Sequence, residues 1–243
     1  MATAPDQARL AVLIDADNAH SKHVEQLFVE IAKYGTASVR RAYGDWTTNQ
    51  LKPWKDTLLN HSVQPIQQFS YTQGKNATDS ALIIDAMDLL HSGTVDGFCL
   101  VSSDSDFTRL AARIREQGFS AYGFGERKTP KPFVAACDAF IYVENLEPPE
   151  ASPPASSSPT WKHDPKLDSL LKEAVMSAAR DDDWAHLGEV GNKLLRRASD
   201  FDPRTWGFSK LKDLMAAHPN YEVKLPAAGN GVMVRRKPSR KKS

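Results

Sequence analysis

Two apolar runs of strand length end in clusters of acids. Leu10 to Ile14 breaks into Asp15, Asp17 and Asn18, and Gly97 to Val101 breaks into Ser102, Ser103, Asp104, Ser105 and Asp106. Continuous runs of this kind predict central strands buried on both faces, which deliver the residues that follow them to one edge of a sheet. Further strands are expected at 37–43, 63–69, 120–124 and 139–143. Between them the apolar spacing changes to that of a helix. Val24, Leu27, Phe28 and Ile31 mark one face of a helix over 22–34 that Gly35 stops, and further helices are expected at 48–61, 79–90 and 107–117, with a short helical piece at 133–137. Pro53 falls near the first turn of its helix, and Thr78 is placed to cap the helix that Asp79 opens.

Strand and helix alternate without a break, which predicts an α/β fold with a mainly parallel sheet and right-handed crossovers. The pattern changes at residues 148–160, PPEASPPASSSPT, a Pro/Ser-rich stretch with too little apolar area to fold and the stiffness of a semi-rigid tether. After it come helices at 167–179, around Trp184 to Leu195, and at 209–217 with Ser209 as cap. Two short strands, 221–225 and 231–235, turn around Ala228-Gly229-Asn230. Three helices and a β-hairpin are the layout of a winged helix. The domain boundaries expected are 1–147, the linker 148–160, 161–236, and a basic tail 237–243 whose composition predicts disorder.

Charge divides along the same boundary. Residues 1–147 carry a formal net charge of −4 and residues 161–243 one of +6, although the whole chain comes to +1. An acidic part that binds cations beside a basic part that attracts polyanions fits this asymmetry, as does plain solvated surface. With 243 residues and 41% hydrophobic content, the chain can fill two cores without staples. Two cysteines, one inside an apolar strand, argue against a disulfide framework or a cysteine zinc site. The absence of an apolar leader or a bilayer-length window predicts a cytoplasmic setting with no membrane.

Taken singly, acids after a strand are also ordinary turn and N-cap residues. As a set they point to chemistry. The carboxyl ends of neighbouring central strands face one crevice, so Asp15 and Asp17 can meet Asp104 and Asp106 there while Asp79 approaches from the side. Clustered carboxylates repel unless a cation neutralises them, and hard oxygen donors select Mg²⁺ or Mn²⁺. Asp85 lies six residues past Asp79, a rotation of roughly 600° that leaves it about 120° off that face. It is expected behind the site or at the surface, with Asp88 exposed and Asp17 serving the turn.

The motifs LIDADN, KNATDSALIIDAMDLL, LVSSDSDF and YGFGERKTP followed by ACDAFIYVENL occur in order over residues 10–146 and resemble the NYN domain family, a branch of the PIN-like nucleases. The resemblance implies a PIN-like parallel-sheet sandwich and metal-dependent ribonuclease activity. By the same resemblance Asp15, Asp79, Asp104 and Asp106 are metal ligands and Asn18 is their polar partner. Lys75 fits a phosphate contact or a solvated loop position. The segment WGFSKLKDLMAAHPNYEV, within 167–236, resembles the OST-HTH or LOTUS winged-helix domain, which implies RNA binding, guanine-rich or structured RNA included, and a protein partner. From charge alone, Lys193, Arg196, Arg197, Lys210 and Lys212 are candidate phosphate contacts or solvated helix faces, and the tail adds attraction that salt would weaken.

Several features are set aside. His20 and His23 lack a metal-binding partner at suitable spacing, Ser102 and Ser103 lack a nucleophile elbow, and Gly123-Phe124-Gly125 lacks the dinucleotide fingerprint. Trp46, Trp54 and Tyr71 are expected to pack the flanking helices rather than stack on bases. The leading expectation is a Mg²⁺- or Mn²⁺-dependent (endo)ribonuclease whose second domain recruits RNA. A noncatalytic RNA-binding adaptor and a nuclease acting on DNA or structured junctions are the alternatives, and a homodimer is left open.

Overall fold

The computed structural model describes residues 7–69, 77–147, 164–179, 182–224 and 231–237. These fall into two compact units divided between residues 148 and 149. The linker, the tail beyond 237, Lys75, Tyr71 and the hairpin tip at 225–230 lie outside the described residues.

The first unit is built on a six-stranded sheet: β1 (Arg9–Asp15), β2 (Thr36–Gly44), β3 (Gln64–Gln67), β4 (Gly97–Val101), β5 (Ser120–Gly125) and β6 (Ala139–Tyr142). Every neighbouring pair is parallel and the order is β3-β2-β1-β4-β5-β6. From Leu10 to Ile14 no residue of β1 is more than 1% exposed. Alternate side chains of that run serve two cores, because successive residues of a strand point to opposite faces. Leu10, Val12 and Ile14 join Val24, Leu27 and Ile31 of α1 (Val24–Ile31) and Trp54 and Leu58 of α2 (Trp54–Asn60). Ala11 and Leu13 join Leu82 and Leu90 of α3 (Ala77–Ser92), Leu110 and Ile114 of α4 (Thr108–Glu116) and Phe133 of α5 (Lys131–Ala136). Each such aliphatic side chain contributes about 1.5–3 kcal/mol by burial. The result is an α/β sandwich of the PIN-like kind.

The winding direction reverses at β1. The chain builds β2 and β3 on one side with α1 and α2 over one face, then crosses through α3 on the other face to build β4, β5 and β6. The carboxyl ends of β1 and β4 therefore flank the topological switch, where open α/β sheets hold their ligands.

The second unit contains α6 (Pro165–Ala178), β7 (Ala185–His186), α7 (Leu187–Arg197), α8 (Leu211–Ala217), β8 (Tyr221–Lys224) and β9 (Met233–Arg236), with an antiparallel sheet ordered β7-β9-β8. Asp164 caps α6, accepting from the amides of Lys166 and Leu167 at 2.9 and 3.3 Å, and Pro165 occupies the first turn, where a missing N–H costs nothing. Leu167, Leu171, Val190, Leu194, Leu214 and Val234 form its core. This is a winged helix. No helix among the described residues is long and apolar enough to cross a membrane.

Local expectations shift in three places. The helix expected over 48–61 is a 3-10 turn at Asn49–Leu51 followed by α2, which starts only after Pro53. α3 begins at Ala77, so Thr78 is inside the helix rather than its cap. α8 begins at Leu211 with Lys210 at the cap position, and Ser209 caps nothing.

Candidate metal centre

The last residue of β1 is Asp15, paired in register with Tyr43 of β2, one position beyond the Ile14–Val101 pairing with β4. It is fully buried. Two donors converge on one of its oxygens: the Ser102 hydroxyl, 2.7 Å from Oδ2, and the Asn18 amide, 2.8 Å away. Ser102 in turn accepts from the backbone N–H of Asp104 at 3.1 Å, so the loop after β4 hangs on the acid that ends β1. The other oxygen, Oδ1, is buried with no hydrogen-bond partner among the described residues. Burial raises the Asp15 carboxyl above its ordinary range, and the Ser102 and Asn18 hydrogen bonds oppose that rise.

The loop after β4 turns at once into a 3-10 helix, Ser105–Phe107, whose cap is Asp104. The Asp104 carboxylate accepts from the Asp106 N–H at 2.9 Å. Gly125, at the end of β5, lets this loop sit down. A Cβ there would come within 2.6 Å of the Ser102 carbonyl oxygen and 2.7 Å of Thr129 Oγ1. The third arm is the first turn of α3. Thr78 donates its hydroxyl to Asp17 Oδ2 at 2.9 Å, fastening the start of α3 to the exit of β1, and the next residue is Asp79.

These elements bring three acids together: one carboxylate oxygen from each of Asp79, Asp104 and Asp106 lies within 4.8 Å of the other two. Asp79 is half-buried, and burial pushes its carboxyl up to about 6, with the charges of Asp15, Asp104, Asp106 and Asp17 adding to the effect. A divalent cation fits this set. The donors are all hard oxygens, their mutual repulsion is relieved by positive charge, and Asp15, whose charge acts on Asp79, keeps one buried oxygen without a hydrogen-bond partner among the described residues.

Of the residues singled out in the sequence, then, Asp79, Asp104 and Asp106 form the cluster, while Asp15 and Asn18 are hydrogen-bonded to each other. Asp17 is more than a turn residue, since it anchors α3. Asp85 is neither exposed nor idle: its carboxylate accepts from the Arg41 guanidinium and the Tyr43 hydroxyl of β2. Burial and the neighbouring Asp85 hold the Tyr43 phenol far above its usual range. Trp54 is buried beside α1, and Trp46 donates its indole N–H to the Ile66 carbonyl at 3.0 Å. Ser102, set aside in the sequence as a nucleophile, has the different task of holding Asp15. No sequence signal marks this task, because only the register of β1 against β4 brings Ser102 to Asp15.

In the second unit Lys193 and Arg196 lie one turn apart on α7, with Arg196 and Lys210 exposed. Arg197 is committed to an ion pair with Glu173 of α6, and Lys212 stands 3.9 Å from the Asp213 carboxylate.

Residues 9–146 match the family model of the NYN domain, and residues 162–232 match that of the OST-HTH/LOTUS domain. NYN domains are PIN-like nucleases and OST-HTH/LOTUS domains bind RNA. No curated protein matches the chain significantly. A crystal structure of a protein of unknown function from Vibrio parahaemolyticus is 19% identical, covers 59% of this chain and 98% of that one, and superposes with a TM-score of 0.48.

Proposed function

Because the chain belongs to the NYN domain family, with an OST-HTH/LOTUS domain after it, we propose that it is a metal-dependent ribonuclease whose first domain hydrolyses RNA phosphodiester bonds and whose second recruits the RNA. The observation that carries this reading is the convergence of Asp79, Asp104 and Asp106 from α3 and the β4 loop onto one point at the sheet's switch. Mg²⁺ or Mn²⁺ bound there supplies a Lewis acid for the phosphoryl oxygens and lowers the pKa of a bound water.

The chain's own residues do the rest. Asp79, Asp104 and Asp106 would hold the cation, with Asp15 close enough for its charge to act on Asp79. Ser102 and Asn18 fix the Asp15 carboxylate in one orientation. No side chain acts as a covalent nucleophile in this reading: the Ser102 hydroxyl, 3% exposed, is already spent on Asp15 and the Asp104 amide. On the second domain Lys193, Arg196 and Lys210 are the cations placed for phosphate contact.

Cleavage of a labelled single-stranded RNA tests the proposal. The wild type should cut with Mn²⁺ or Mg²⁺ and stop with EDTA, and Asp104→Asn should be slower by roughly 100-fold or more. Cleavage that persists in Asp104→Asn would mark a contaminant, and failure to cut any RNA would leave the chain an RNA-binding adaptor. Matched RNA and DNA oligonucleotides decide the sugar preference.

A further inference from the structure

An acidic first domain that handles a polyanion needs cations close to its acids. A groove of ≈ 430 Å³ runs between α3 and α4, and Asp106 of the acidic cluster lines one part of it. Its walls include the aliphatic side chains of Ile83, Met87 and Leu110, and two guanidiniums, Arg109 and Arg113, lie along α4. Arg109 comes three residues after Asp106, near the start of α4, and is exposed. Neither a hydrogen bond nor an ion pair engages it among the described residues. Arg113, one turn further on, has only an exposed pairing with Glu116 at 3.4 Å. An exposed pair of that kind is weak and yields easily to a phosphate.

We infer that this groove is the track for the single-stranded RNA segment flanking the bond to be cut, with Arg109 as its first phosphate contact. The inference rests on the nuclease reading of the acidic cluster and adds to it the direction in which the strand leaves. Three observations favour a nucleic acid strand there. The groove is continuous with the acids through Asp106. Its cations follow one helix at i and i+4, about 6 Å apart along the axis, so that an extended backbone meets both. Part of its wall, formed by Ile83, Met87 and Leu110, is apolar and suits ribose and base faces, while Glu116 also lines it. Arg109 is exposed beside the acidic cluster, and a guanidinium is the group that grips a phosphate with two parallel donors.

Two measurements on the full chain test this. In the first, a 4-thiouridine oligonucleotide is cross-linked in EDTA, which requires no cleavage, and the modified peptides are mapped. Adducts on Ile83, Met87 or Leu110 are expected. Adducts found only elsewhere would overturn the inference and give the groove to a protein occupant. In the second, Arg109→Ala should raise KM for RNA roughly fivefold, with Mn²⁺ affinity unchanged by calorimetry, and Arg109→Lys should recover part of the loss. The salt slope of log kcat/KM should shrink by about 0.7, the share of one single-strand phosphate contact. An active wild type whose KM and salt slope are untouched by Arg109→Ala defeats the groove and leaves the nuclease standing. A wild type that cuts nothing defeats the nuclease, and the cross-link map still decides the groove.

Discussion

The Asp79 carboxyl is pushed up to about 6, against 3.8 for a free aspartate, because it is half-buried and faces four other carboxylates. The sign of its effect on stability follows. A raised carboxyl pKa means that the folded chain holds a proton the unfolded chain has released. Without metal, the stability contributed by this group is therefore full below pH ~4 and falls as pH rises through ~6. Asp79→Asn removes the titration. The metal-free variant should gain thermal stability over wild type above pH 6 and match it near pH 4, as calorimetric melts at a series of pH values would report. A variant whose melting curve against pH parallels the wild type would show that Asp79 ionises normally. That Asp79 belongs with Asp104 was legible in the sequence, since each opens a helix or turn at a strand or helix boundary. Its company with Asp106 in particular was equally legible, but the role of Ser102 was not. Nothing in a serine's type or spacing says that its hydroxyl will face an acid 87 residues earlier in the chain, and only the register of β1 against β4 puts it there.

At the scale of elements, α3 must be held at one rotation for Asp79 to face the loop after β4. The grip lies a turn and a half along the helix, where Asp85 accepts from Arg41 and Tyr43, two residues on the same face of β2. Asp85→Asn leaves the part-buried Arg41 guanidinium without its counter-charge. It should cost about 1–3 kcal/mol of stability, and Mn²⁺ affinity should fall although Asp85 is outside the cluster. Thermal melts and metal titration of the same variant separate the two effects. Mn²⁺ affinity identical to wild type would mean that Thr78 and Asp17 alone set the helix. Helix geometry in the sequence already set Asp85 apart from the face of Asp79, but its partners come from a strand far back in the chain, which no local period reports. The same limit explains the caps. Thr78 and Ser209 have the right chemistry for helix starts, yet α3 begins before one and α8 after the other, because tertiary contacts such as Thr78 to Asp17 outweigh a cap worth roughly 1 kcal/mol. β7, at two residues, is too short to show any alternation. The long apolar runs β1 and β4 were legible because burial on both faces leaves a continuous signature.

For the whole molecule, the division of charge has a kinetic consequence. The first domain at −4 repels an RNA chain at long range, and the residues from 161 onward at +6 attract it. If the second domain recruits RNA, the full chain should bind it with a steep salt dependence, log K falling by about 0.7 per phosphate contact for each decade of salt. Each unit has its own core, so residues 1–147 are expected to fold alone and to keep metal-dependent cleavage. Cut away from the basic part, they should work at a higher KM and with a flatter salt slope, while kcat, if the acids of the first domain set it, stays near that of the full chain. Initial rates of both proteins on one RNA between 50 and 300 mM salt, about the range in which such contacts are lost, measure this directly. Equal KM and equal salt slopes would mean that the winged helix does not recruit the substrate. The excess of Arg and Lys beyond residue 161 would then serve some other partner, and the groove beside Arg109 would have to supply the RNA affinity by itself.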